Sequence, residues 1–182
     1  MSYNIDCNRK FEELDAALNA DNALLYSQAN GGRSLLFVYP PHEETLYIEE
    51  AKKRYSSRFA FIDARAIFIS FIDDMGIDNF LSNYREFGNE LFDDKDQYDD
   101  PTYLKLLVEQ IEGSVKEGKT PALIHTGALY GTNFGNINLM EHPVVMKSPI
   151  PFVVFYPGMD EQGNILFLNK QIASKYRCLI IR

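Results

Sequence analysis

The residues best suited to proton chemistry are the three histidines and the carboxylates around them, and two of the three, His42 and His125, stand at the ends of apolar runs. A histidine at a strand end can serve as a general base when a substrate proton comes within hydrogen-bond reach. Such a base needs company. No Ser or Cys sits in a GxSxG elbow, and His142, in Glu141-His142-Pro143, has no ligand partner four residues on. The same three residues suit surface or capping positions equally well. Asp63 closes the run Phe59-Ala60-Phe61-Ile62, where a magnesium-binding aspartate stands in phosphate-handling proteins, but a strand-end aspartate also caps the helix that follows. The stretch Thr126 to Asn136, with Gly127, Gly131 and Gly135, is the one glycine-rich segment able to wrap a ligand. It matches no dinucleotide fingerprint.

These residues need strands to place them, and two runs supply the frame. Leu35-Leu36-Phe37-Val38-Tyr39 leads into Pro40-Pro41, and Phe152-Val153-Val154-Phe155-Tyr156 leads into Pro157-Gly158. Continuous apolar runs of this length fit strands covered on both faces of a parallel sheet. Proline has no N–H to extend a ladder, so both strands are expected to stop there, with Tyr39 and Tyr156 at one carboxyl edge. In open α/β sheets that edge is where ligands and partners bind. After the first strand a phosphate-cradling loop would need glycines and a lysine; the chain instead carries Pro40-Pro41-His42-Glu43-Glu44. Two backbone donors are missing and two carboxylates repel an anion.

Helical signals alternate with the strands. Phe11, Leu14 and Leu18 predict a helix over about 9–19, followed by the turn Asn30-Gly31-Gly32. Glu43 to Tyr55, with Lys52, Lys53 and Arg54 in the last turn, predicts a second. Ala66 to Met75 reads as a buried helix closed by Gly76, and a further helix carries Phe80, Leu81, Tyr84 and Leu91 to about Phe92. Asp100-Pro101 suggests an N-cap and first-turn proline for a helix that stops near Gly118; Ala122-Leu123-Ile124 and Cys178 to Ile181 complete the strands. The expectation is a single α/β domain over residues 1–182, with about five mostly parallel strands flanked by helices on both faces.

Composition narrows the function classes. With 182 residues, 46% of them hydrophobic, the chain can bury one sizeable core. A net charge of −8 and no Lys/Arg cluster argue against a general nucleic-acid surface. No run approaches the roughly 18 apolar residues of a membrane span, so a cytoplasmic protein is expected. Cys7 and Cys178 show neither CxxC nor zinc spacing, and Cys178 fits a buried position in the last strand. The acidic run Asp93 to Asp100 lacks the glycine and terminal glutamate of an EF-hand loop and reads as a solvated connection. No metal or cofactor is expected.

The order Tyr39-Pro40-Pro41 with Glu44, a strand ending in Asp63, Thr126-Gly127-Ala128-Leu129-Tyr130, Phe152 to Gly158, Leu166-Phe167 and Lys175-Tyr176-Arg177 resembles the BrxB family of bacteriophage exclusion (BREX) defence systems. The likeness covers residues 34–182; residues 9–33 form the N-terminal helix and turn ahead of it. Where the family pattern has Pro and then Arg after the Gly-x-x-Tyr loop, this chain has Gly131-Thr132-Asn133-Phe134. The resemblance implies an α/β domain likened to P-loop ATPases without working nucleotide motifs. It also implies a role beside the system's ATPase, methyltransferase and alkaline-phosphatase-like components, and it supplies no catalytic residue.

Two functional readings follow. In the first, a non-catalytic antiviral defence component presents its sheet edge to protein partners, above all the phosphatase-like one, with no direct contact to nucleic acid or membrane. In the second, an enzyme or sensor holds a nucleotide or other small ligand at that edge, lined by Thr126, Gly127, Tyr156 and Gly158. Tyr39 and Asp63 belong to the same edge under either. The rings of Tyr130, Phe134, Tyr156 and Tyr176 suit an interface, since tyrosine offers apolar area and a water-tolerant hydroxyl, and they suit the domain's own core equally.

Overall fold

The computed structural model describes residues 2–93, 101–173 and 177–182, without the side chains of residues 2–4, 22 and 23. The aspartates from Asp94 to Asp100, including the expected N-cap Asp100, and the Lys175-Tyr176 pair lie outside the described residues.

Five parallel strands run in the order β2 (Phe59–Asp63), β3 (Thr120–Ile124), β4 (Phe152–Glu161), β1 (Ser34–Tyr39), β7 (Cys178–Ile181). Alternation of side chains across the pleat divides each central strand between two cores. From β1, Leu36 and Val38 join one core; Leu35, Phe37 and Tyr39 join the other. From β4, Phe152, Val154 and Tyr156 face the first, and Val153 and Phe155 the second. Helices α1 (Ser2–Asn19), α2 (Asn22–Gln28) and α3 (Glu44–Tyr55) cover the second face. The first is covered by α4 (Ala64–Met75), α6 (Tyr103–Lys116), α7 (Asn136–Met140) and α8 (Pro143–Met146), with α5 (Ile77–Phe87) at its margin. The α/β architecture expected from the sequence is therefore the one observed.

The chain leaves β1, passes over β4 and β3 through α3, starts again at β2 and returns strand by strand to β4 before stepping across β1 to β7. Winding thus reverses between β1 and β4, and the carboxyl ends of those strands border a crevice of the kind that binds ligands in open sheets. Val38 pairs with Tyr156 and Tyr39 with Pro157, so both Tyr-Pro ends do lie at one edge. Their rings point to opposite faces.

Three expectations are corrected. Pro157 ends the pairing with β1, not the strand: β4 continues through Glu161 and turns at Gln162 and Gly163, both at positive φ, into β5 (Asn164–Phe167). A two-residue turn with both residues left-handed matches the strand twist, and Asp160 Oδ1 accepts the Gly163 N–H at 2.9 Å. β6 (Gln171–Ile172) follows after a second turn at Leu168 and Asn169, so the sheet has seven strands, two of them an antiparallel extension. Secondly, α4 is not a fully buried helix: only Ala64 and Phe71 are buried, and Ile69 is 52% exposed. Thirdly, α6 is capped by Thr102, whose Oγ1 accepts the Lys105 N–H at 3.3 Å. Among the described residues no helix is long and apolar enough to cross a membrane.

Candidate functional site at the carboxyl edge

Four elements converge where the winding reverses. β1 delivers Tyr39, α3 delivers Glu44, β2 ends in Asp63 and β3 runs into His125. His125 takes φ 54° and ψ 40°, the left-handed region, which lets the chain turn sharply from β3 into the short 3-10 turn Thr126–Leu129. Histidine enters this region more readily than most side chains, though at a cost of about 1–2 kcal/mol. The turn sets the imidazole between two carboxylates: Nδ1 lies 3.3 Å from Glu44 Oε2, and Nε2 lies 3.7 Å from Asp63 Oδ2. The Nδ1 contact has the distance of a hydrogen bond but not its alignment, so this buried nitrogen meets no well-directed partner.

Each carboxylate is fixed from behind. Tyr39 donates its hydroxyl to Glu44 Oε1 at 2.8 Å, and burial, reinforced by the Glu44 charge, pushes its phenol pKa well above the ordinary value. Asp63 Oδ1 caps α4 by accepting the Ala66 N–H at 3.1 Å, and Arg65 stands 3.4 Å from Oδ2. Above the network lies a cleft of about 280 Å³ bordered by Pro41, Glu44, Arg65, His125, Gly127 and Leu168. Its lining carries the Glu44 carboxylate, the His125 imidazole and the Arg65 guanidinium, so both signs of charge border it. Among the described residues no His/Cys/Asp/Glu group is arranged to hold a metal ion.

Of the other expected site residues, four are buried within the fold. Thr126, fully buried, donates its hydroxyl to the Phe155 carbonyl at 2.9 Å and so ties the turn to β4. Phe134 is 4% exposed with its ring centroid 5.5 Å from that of Tyr103. Tyr156 is buried with its ring 4.8 Å from Phe167. Gly158 is a glycine because a Cβ there would stand 2.7 Å from the Leu166 carbonyl oxygen across the hairpin. Gly127 does border the cleft, and Tyr130 is half exposed. His42 shares the edge but faces solvent beside Glu43, and His142 is a cap, its Nδ1 accepting the Val144 N–H at 3.3 Å. From the sequence Glu44 was a charge that repels phosphate and part of the Tyr-Pro-Pro motif, not a partner of His125. Its place near the start of α3, directly after the Tyr-Pro-Pro edge, was the signal that it would face back over the sheet.

Backbone and chemistry at His125 can be separated. His125→Asn, which tolerates the left-handed region, is expected to keep the melting temperature close to wild type, whereas His125→Val should cost about 1–3 kcal/mol. Equal losses for both in chemical denaturation would place the stabilisation in the imidazole contacts instead.

Comparison with protein-family models, with curated proteins and with solved structures finds no match to this chain.

Proposed function

We propose that the protein is a non-catalytic component of a BREX-type phage-defence system that works through protein contacts made by the extension of its sheet edge. The observation that carries this reading is a cross-strand apolar row on the β4–β5–β6 extension. Met159 pairs with Leu166 and Leu166 with Ile172, which places the three side chains on one face. Met159 is 46% and Ile172 65% exposed, while Ile165 and Phe167, on the opposite face of β5, are buried. The fold uses one face of the extension and leaves the other apolar and open. Glu161, two residues beyond Met159 along β4, lies on the same face, in keeping with the net negative charge.

At the candidate site the hydroxyls of Tyr39 and Thr126 and the carboxylate of Asp63 are engaged within the fold. The partner is the alkaline-phosphatase-like component, as the family resemblance implies. Co-purification with that protein is expected for wild type and to be lost in the double variant Met159→Asp, Ile172→Asp, whose circular dichroism should match wild type. Phe134→Ala is a poor probe because that ring is core. ATP and GTP at millimolar levels should leave the melting temperature unchanged, as a ligand that binds the folded state must raise it. A complex that survives the double variant would move the contact elsewhere.

A further inference from the structure

The sheet ends on one side at β7, whose inner edge pairs with β1 and whose outer edge has no strand neighbour among the described residues. Folded proteins usually protect such an edge with a lysine, a proline, a bulge or a covering element, because its N–H and C=O groups are otherwise open to another strand. β7 reads Cys178-Leu179-Ile180-Ile181 and pairs with β1 in unbroken register, so it carries none of the first three devices. Nor do the helices close over it. A groove of about 380 Å³ lies beside the strand, walled by Ala16, Ala17 and Ala20 of α1, Leu24 of α2 and residues 179–181. Leu24 is 51% and Ile180 37% exposed. The small side chains on α1 let a neighbouring helix approach to about 8–10 Å between axes.

From this geometry we infer that the protein pairs with a second copy of itself, β7 against β7 in antiparallel array, making one continuous sheet across a two-fold axis. An isologous contact uses the same edge twice, so no new element is needed. Alternation along the strand limits the register. Cys178 and Ile180 face the first core, Leu179 and Ile181 the second. A pairing that keeps both α1 helices on one face sets like-facing residues opposite each other, and so centres on a single residue, Leu179 or Ile180. Either choice brings the two α1 helices side by side with the alanines between them. Charge selects a second copy as the occupant. The chain carries a net −8, yet of the residues around the groove only Glu13 is charged, and the Arg9 guanidinium holds it at 2.5 Å. At the two ends of the strand stand two ion pairs, Arg177 with Glu141 at 3.1 Å and Arg182 with Asp160. Antiparallel pairing brings the Arg177 end of one copy to the Arg182 end of the other, and with it each guanidinium toward a carboxylate of the other copy. The contact does not depend on the Met159–Leu166–Ile172 row proposed above, which belongs to the β4–β5–β6 extension and not to β7.

Sedimentation equilibrium and light scattering on the full chain at micromolar concentration should give twice the 20.9 kDa monomer mass. Ile180→Lys places on the edge the charge that natural edge strands use, and should halve that mass while the circular dichroism stays native. The double variant Met159→Asp, Ile172→Asp should keep the doubled mass, so loss of the defence partner and loss of self-pairing are read separately. A wild-type monomer, a dimer that Ile180→Lys leaves intact, or a dimer that the double variant dissolves would each overturn the inference, the first even if β7 takes up a strand from another protein. Should Ile180→Lys fail to fold, Ala16→Glu, on the exposed flank of α1, is expected to halve the mass instead, and a dimer that survives it overturns the inference equally.

Discussion

Raising the pH from about 9 to about 11 is expected to unfold the protein cooperatively. Several acids buried in the two cores hold their protons in the folded state, three of them being Tyr39 and Tyr103, each fully buried, and Cys178, 4% exposed. Burial pushes the Cys178 thiol up to about 12, and pushes both phenols well above their ordinary range. The neutral form is the protonated one, so below about pH 9 neither state ionises and stability is unaffected. Above that the unfolded chain sheds protons that the folded one keeps, binds fewer of them, and is favoured by about 1.4 kcal/mol per pH unit for each group. By about pH 11 the three together amount to roughly 5 kcal/mol, comparable with the whole stability of many domains of this size. Far-UV circular dichroism and tyrosinate absorbance should change together. A phenolate signal that is complete while the dichroism stays native would show that these rings ionise within the fold.

Phe37→Ala is expected to cost about 3–5 kcal/mol, enough to leave the protein marginally folded. The ring sits at the middle of the second core with no exposure, its centroid 4.9 Å from that of Phe11, 5.1 Å from Phe155 and 5.9 Å from Tyr47. Those neighbours come from α1, β4 and α3, so the void opens at the junction of four elements and no single one can collapse into it. Ile69→Ala provides the contrast: that side chain is half exposed on α4 and its loss should fall within about 0.5 kcal/mol. Urea denaturation of both variants checks the pair, and similar midpoints would contradict the core assignment.

The parallel sheet was legible because its strands are buried on both faces and so read as unbroken apolar runs, as in Leu35 to Tyr39. Residue-level chemistry was legible only in part. Tyr39 and Asp63 were placed at the right edge, but what each touches depends on Glu44 and His125, which no spacing rule brings together. The β4–β5 hairpin was missed because Pro157-Gly158 resembles a stop. Gln162-Gly163 is its turn, yet glutamine is an uncommon first residue for a left-handed pair. On α4 the run Ala66 to Met75 suggested burial all round, whereas length and composition do not reveal that α5 and the 3-10 turn Gly88–Phe92 cover only one side of it.

The place of β1 has a consequence for how the protein is made. Ser34 pairs with Phe152 on one side and with Cys178 on the other, so β1 is made well before β4 and β7 and waits for them before either of its edges is paired. Until then Leu35 to Tyr39 is an apolar strand with two bare edges, a template for pairing with other chains. Closing such distant contacts is slow. During synthesis the α1 and α3 surfaces that later flank β1 are the covering available to it, and chains that end before β7 would leave one edge of the central strand open.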